Sequence, residues 1–300
     1  MTKLVYNVII GKKNERGARH EGIYGRIRRY QKLCSALLFP IITELVFVMA
    51  QASCLRLFVF WKGKLTMATW ITHLMIADGV LARFLKLDRR GFCVGNIAPD
   101  CNVENADWTD FTPSREVTHW MRGARKTASD CDAFCKEYII DRWAKIESPE
   151  ERAFLLGYFS HLITDAAFQA MIRNVDRVKA AWSRLKQDRD AECGMEENWD
   201  TFKMLVSKRD RMREIYAIEA KYLLEHPDSG YLTEILPLRS FPDYIDYLPK
   251  GAIVRKIGVM GYLPEADDGL TSYISISQEE HAAFVTDTID KVASQIAGFI

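Results

Sequence analysis

Ser148-Pro-Glu-Glu-Arg-Ala-Phe-Leu-Leu-Gly-Tyr-Phe-Ser-His-Leu-Ile-Thr-Asp-Ala-Ala-Phe-Gln-Ala-Met-Ile-Arg173 is the stretch on which the fold turns. Ser148 stands at an N-cap position, Pro149 fits the first helical position, and Glu151 completes a capping box. The apolar set Phe154, Leu155, Tyr158, Phe159, Leu162, Ile163 and Ala166 covers most of the circumference of the helix that follows. A helix apolar on nearly every side is predicted to lie at the centre of a core. His161 and Asp165 are one turn apart on it, so both project from one face into the interior.

Working outward, helical periodicity dominates. Ile71, Leu74, Met75, Val80, Leu81 and Phe84 recur at three- and four-residue steps, which predicts a first helix from Trp70 to near Asp88. Gly91 to Pro113 is rich in Gly, Pro, Asn and Asp and reads as a long loop, the kind of segment that tends to carry function. Helices are expected again over Ser114–Lys126, Asp130–Lys145, Ser148–Arg173, Val175–Gln187, Glu196–Val206, Arg209–Leu224 and Glu279–Ile300. Tyr273–Ser277 is the one short strand candidate. The expectation is an all-α multi-helix bundle with no break inside 67–300.

The chain has 300 residues, 48% of them hydrophobic and 27% charged, which excludes a disordered tail or a disulfide mini-protein. Its net charge of +1 hides an asymmetry. Residues 1–66 carry 12 Lys and Arg against 3 Asp and Glu, whereas 67–300 carry 29 against 37. The acidic larger part argues against a nucleic-acid-coating surface.

The basic stretch Arg26–Lys32 precedes the apolar run Leu33–Ala50, in the order of a signal peptide or membrane anchor. Glu44 and Pro40 inside the run oppose that reading, since an acid at a membrane-helix centre costs about 2.5–3.5 kcal/mol. Met67-Ala-Thr-Trp opens a new pattern abruptly, and Lys62-Gly-Lys64 before it would be encoded by purine-rich codons like those of a bacterial ribosome-binding site. We expect Met67 to be the native start and the product to be cytoplasmic. A product that includes residues 1–66 would instead be membrane-anchored or secreted through residues 26–52, and would touch a membrane only if residues 33–50 are inserted. Seven cysteines without a CxxC pair indicate neither a disulfide framework nor a zinc knuckle. Cys131 and Cys135, one turn apart, are read as packing rather than as a chelate.

Of six histidines, His20, His226 and His281 lie in settings where a solvated side chain is the default. His73, His119 and His161 fall in ordered segments. The His161 and Asp165 pair admits two readings: the acid orients the imidazole, or the two ligate a metal. Gly95-Asn-Ile-Ala-Pro-Asp100 ends in a carboxylate that Pro99 and the turn hold in place. Cys101 beside it is read as packing. Asp107, Trp108 and Asp110 read as a polar rim or a substrate-facing wall.

Four motifs in order, Thr72-His73-Leu-Met-Ile-Ala77, Gly95-Asn-Ile-Ala-Pro-Asp100, Thr118-His119-Trp120 and Gly157-Tyr-Phe-Ser-His161-Leu-Ile-Thr-Asp165, resemble the zinc-dependent phospholipase C family. They are closest to a bacterial branch whose members begin near the equivalent of Met67. The resemblance implies the all-α bundle shared with S1/P1 nucleases, and hydrolysis of phosphate esters by clustered zinc. It implies that Asp100, His119 and His161 bind one zinc, and that Asp165 bridges it to a second held by His73. Asp100 and Asp165 would be the catalytic carboxylates in a phosphoesterase that uses a metal-bound hydroxide. Two cations sharing a water would lower its pKa and clamp a phosphoryl oxygen. The secreted members add an N-terminal Trp and a third zinc on a later His and an HxxxE pair. No HxxxE occurs here, so one or two zinc ions are expected.

The substrate class implied is a phosphate-ester small molecule or a lipid head group, with Asp107, Trp108 and Arg115 (or Arg122) as candidate contacts. The alternative is a non-catalytic or degenerate metal-binding helical domain. An HD-type phosphohydrolase would need a His-Asp dipeptide, and the sequence has none. The remaining reading, in which the His and Asp residues merely satisfy one another, does not account for four motifs in sequence.

Overall fold

A computed structural model describes residues 68–122, 129–189, 195–264, 267 and 269–300. The expectations about the leader, the start at Met67 and His20 lie outside the described residues. Described helices are α1 (Trp70–Arg83), α2 (Arg89–Gly95), α3 (Arg115–Thr118), α4 (Cys131–Phe134), α5 (Pro149–Ile172), α6 (Val175–Arg189), α7 (Trp199–Leu205), α8 (Lys208–Glu225), α9 (Ala252–Met260) and α10 (Gln278–Ile296). Strand is confined, among these residues, to a hairpin of β1 (Val103–Glu104) and β2 (Phe111–Thr112), paired Val103 with Thr112 and Glu104 with Phe111. The fold is all-α, and no described helix is long and apolar enough to cross a membrane.

Helix α5 is the axis. Every residue from Ala153 to Asp165 is buried, as an all-round apolar helix requires, and α2, α1, α4 and α10 pack around it. Its start is where the capping residues put it, with Ser148 Oγ accepting from Glu151 N at 3.2 Å. Only that half of the expected capping box is made on α5. The reciprocal pair forms instead on α10, between Ser277 and Glu280.

Two expectations are corrected. The segment from Gly91 is not loop: α2 spans Arg89–Gly95, capped by Asp88 Oδ1 accepting from Gly91 N at 2.7 Å, with Phe92, Cys93 and Val94 buried. The glycines there permit close approach rather than a turn. A Cβ on Gly95 would lie 2.1 Å from the Phe154 carbonyl oxygen, and one on Gly157 would lie 2.2 Å from that of Phe92. The backbones of α2 and α5 therefore touch at this crossing, which only glycine allows.

Tyr273–Ser277 is not a strand. Its Ile274, Ser275 and Ile276 N–H groups converge on the Glu214 carboxylate of α8 at 2.8–3.1 Å, so its hydrogen bonds go to a side chain instead of a sheet. Helix α1 ends at Arg83, short of Asp88, and α3 is a single turn. Beyond α4 the chain runs on as a π-helix, Cys135–Ile140. The hairpin escaped the period-2 reading because its strands are two residues long, too short to show one.

Candidate metal centre

Four separate pieces of chain bring the ionisable side chains together. Helix α1 supplies His73, and α5 supplies His161 and Asp165. The turn Ala98–Asp100, opened by Ala98-Pro99, and the residue that ends α3 supply Asp100 and His119. Tyr158 of α5 donates to the Thr118 carbonyl at 2.5 Å, tying the end of α3, and so His119, to the central helix.

The imidazoles are oriented from behind. His161 Nδ1 lies 2.7 Å from the Asn96 carbonyl oxygen, which can only accept, so Nδ1 carries the hydrogen and Nε2 turns a lone pair inward. Thr118 Oγ1 lies 2.9 Å from His119 Nδ1 and donates to the Arg115 carbonyl at 3.4 Å, so it accepts from Nδ1 and leaves Nε2 as the acceptor. The His73 ring stacks on His161 with centroids 3.8 Å apart and planes 3° from parallel. Trp70 Nε1 donates to Asp100 Oδ2 at 3.2 Å, which leaves Oδ1 toward the cluster.

Inward-facing atoms sit at one characteristic spacing. Asp165 Oδ2 is 3.5 Å from both His119 Nε2 and His161 Nε2, those two nitrogens are 3.4 Å apart, and Asp100 Oδ1 is 3.3 Å from His119 Nε2. Asp165 Oδ1, the other oxygen, is 3.5 Å from His73 Nε2. These separations are long for hydrogen bonds. They match the roughly 3.4 Å edge of a tetrahedron of N and O ligands about 2.0–2.2 Å from a metal. Both Asp165 oxygens and both His73 nitrogens are buried without a hydrogen-bond partner, a cost that a cation among them would remove. Among the described residues two groups could hold an ion, each with its donor atoms within 4.8 Å of one another: Asp100, His119 and His161, and His73, His161 and Asp165. Neither contains a cysteine. Burial keeps the Cys101 and Cys131 thiols up in their protonated, poorly ligating form.

Electrostatics follow from burial and proximity. Burial, reinforced by the Arg115 charge, pushes His119 down to about 4. Burial and the neighbouring His161 lower His73. His161 moves the other way, because the Asp165 carboxylate outweighs its burial. Asp165 and Asp100 are ionised despite burial, held below the usual carboxylate range by His161 and His73 in one case and by Arg115 and His119 in the other. Anionic carboxylates and neutral imidazoles are the protonation states a cation binds.

Of the substrate contacts expected from sequence, Arg115 reaches the cluster, with Nη2 3.0 Å from His119 Nε2 and 3.4 Å from Asp100 Oδ1. Asp107 and Trp108 lie at the tip of the β1–β2 hairpin instead. The Asp107 carboxylate accepts from Thr109 Oγ1 at 2.9 Å, and the Trp108 ring lies 5.4 Å from Lys256 Nζ. Arg122 is exposed and pairs with Asp130 at 3.1 Å.

His281 is a correction. The acids beside it, Glu279 and Glu280, suggest a solvated helix start, but α10 packs on α1 and leaves His281 1% exposed. Its Nε2 lies 3.2 Å from Thr72 Oγ1, and burial pushes it down to about 4. Glu219 of α8, which no motif flagged, is the other buried group behind α1. Its Oε1 accepts from Thr72 N at 3.1 Å, from Thr72 Oγ1 at 2.7 Å and from Thr69 Oγ1, closing the first turn of the helix that carries His73.

Burial pushes Glu219 up to about 7 from 4.5. The folded chain then holds a proton that the unfolded chain releases, so this carboxyl favours the fold below about pH 4.5 and loses that contribution as pH rises to about 7. His281 acts in the opposite sense between about 4 and 6.5, which masks the decline in the parent protein. Glu219→Gln should therefore gain on the parent by about 2 kcal/mol between pH 5 and pH 8. Urea denaturation at the two pH values checks it, and a gap independent of pH would dismiss the buried charge.

Residues 72–168 match the family model described as zinc dependent phospholipase C. No curated protein matches the chain. No solved structure matches it either. All five inward-facing residues, His73, Asp100, His119, His161 and Asp165, lie inside the segment that matches this family model.

Proposed function

We propose that this chain is a zinc-dependent phosphoesterase that hydrolyses a phosphate ester or diester, carried by a small molecule or a lipid head group. The observation that carries the reading is Asp165, one buried carboxylate whose two oxygens face two different sets of imidazole nitrogens. Asp100, His119 and His161 would hold one zinc and His73 a second, with Asp165 between them. Zinc in such a donor set supplies Lewis-acid polarisation of a phosphoryl oxygen and lowers the pKa of water.

The protein's own part is orientation and access. The Asn96 carbonyl and the Thr118 hydroxyl fix the His161 and His119 tautomers, and Trp70 Nε1 aims Asp100. His73, His119, His161 and Asp165 are sealed, whereas the side chains of Asp100 and Arg115 are 15% and 36% exposed. A phosphate group thus reaches the cluster from the Asp100 and Arg115 side. The planar Arg115 guanidinium is suited to a pair of phosphoryl oxygens there.

The test pairs metal counting with a phosphodiester panel on the full chain. We expect about two zinc ions per chain and hydrolysis that chelation removes and zinc restores. His161→Ala should abolish turnover while far-UV circular dichroism is retained. Bound zinc without turnover on any ester would favour a non-catalytic metal-binding domain, and absence of bound zinc would remove both readings.

A further inference from the structure

Arg115 Nη2 lies 3.0 Å from His119 Nε2, 3.4 Å from Asp100 Oδ1 and 3.8 Å from Asp165 Oδ2, so one guanidinium nitrogen addresses three atoms of the donor set. The His119 contact is exclusive. Its Nδ1 hydrogen is committed to Thr118 Oγ1, which leaves Nε2 a single lone pair. A guanidinium has only donors, so Arg115 spends that lone pair. A metal bonded to Nε2 needs the same lone pair. Such an ion, about 2.0–2.1 Å from Nε2, would also lie within about 5 Å of the Nη2 positive charge wherever it sat.

We propose that Arg115 is a built-in competitor for the metal site: it is the cation that pairs with Asp100, Asp165 and His119 before a metal arrives, and it is displaced when zinc loads. Arg115 and His119 are four residues apart at the two ends of α3, so the competition is intramolecular and needs only side-chain rotation. The guanidinium has somewhere to go, because its side chain is more than a third exposed while His119 and Asp165 are sealed. This cation offsets the charge of the Asp100 and Asp165 carboxylates without a metal, and it weakens zinc binding.

The inference rests on the metal reading above, and the experiment separates the two. Chelator-stripped full-length protein is titrated with zinc against a chromophoric competitor, using the parent, Arg115→Ala, Arg115→Lys and, as a control, Arg122→Ala. Arg115→Ala should bind zinc about tenfold or more tightly and, stripped of metal, melt at a lower temperature than the stripped parent. Arg115→Lys, which keeps the charge, should lie nearer the parent, and Arg122→Ala should match it. Equal or weaker zinc binding by Arg115→Ala would overturn the competition and leave the metal site standing. No zinc binding by any variant would overturn the metal reading and this inference with it.

Discussion

Asp165→Asn should reduce bound zinc from about two ions per chain to at most one and lower hydrolysis on the order of 10³-fold. The substitution keeps the side chain's shape and removes only its charge, so the loss tests the carboxylate itself. Its two oxygens stand 3.5 Å from His73 on one side and 3.5 Å from His119 and His161 on the other. Loss of a group that merely orients a ligand costs about 10–100-fold. Loss of one between two ions should cost more. Elemental analysis and turnover on the same preparation check it, and a variant that keeps both ions and about a tenth of its activity would remove the bridging role.

Gly157→Ala should destabilise the fold by about 3 kcal/mol or more, although alanine is the better helix former. The added Cβ would meet the Phe92 carbonyl oxygen at 2.2 Å, and the obstacle is backbone that cannot rotate away. Helix α2 would have to separate from α5, opening the contact that places Asn96 behind His161. For a domain of this size we expect the melting temperature to fall by about 6–12 °C, with zinc binding weakened as well. Gly258→Ala is the control. That glycine is also helical but has nothing within 4 Å of a Cβ, so the change should gain about 0.5–1 kcal/mol. If both variants melted like the parent, the close crossing would not be limiting.

Much of the helical framework was legible because its signals are local. Ser148 and Pro149 mark the start of α5, and an apolar set that leaves no polar face marks its central place. The ends of α6 and α8 fall within one or two residues of expectation for the same reason, a long run with one period. Helix α2 was hidden because a glycine that breaks a helix and a glycine that admits a neighbouring backbone are the same letter. The acids beside His281 point to solvent, while its burial is set by α1, far away in the chain.

The sequence by itself marked the candidate donors, three histidines and two aspartates, with His161 and Asp165 on one helical face by a spacing that needs no tertiary contact. Only the tertiary structure decided how those donors are arranged. Which Asp165 oxygen meets which imidazole, which tautomers the Asn96 carbonyl and Thr118 hydroxyl impose, and where the Arg115 guanidinium rests depend on four elements packing together. The physical reason is that chemical identity and helical period are carried residue by residue. Burial, lone-pair direction and the close approach of backbones arise only between segments far apart in the chain.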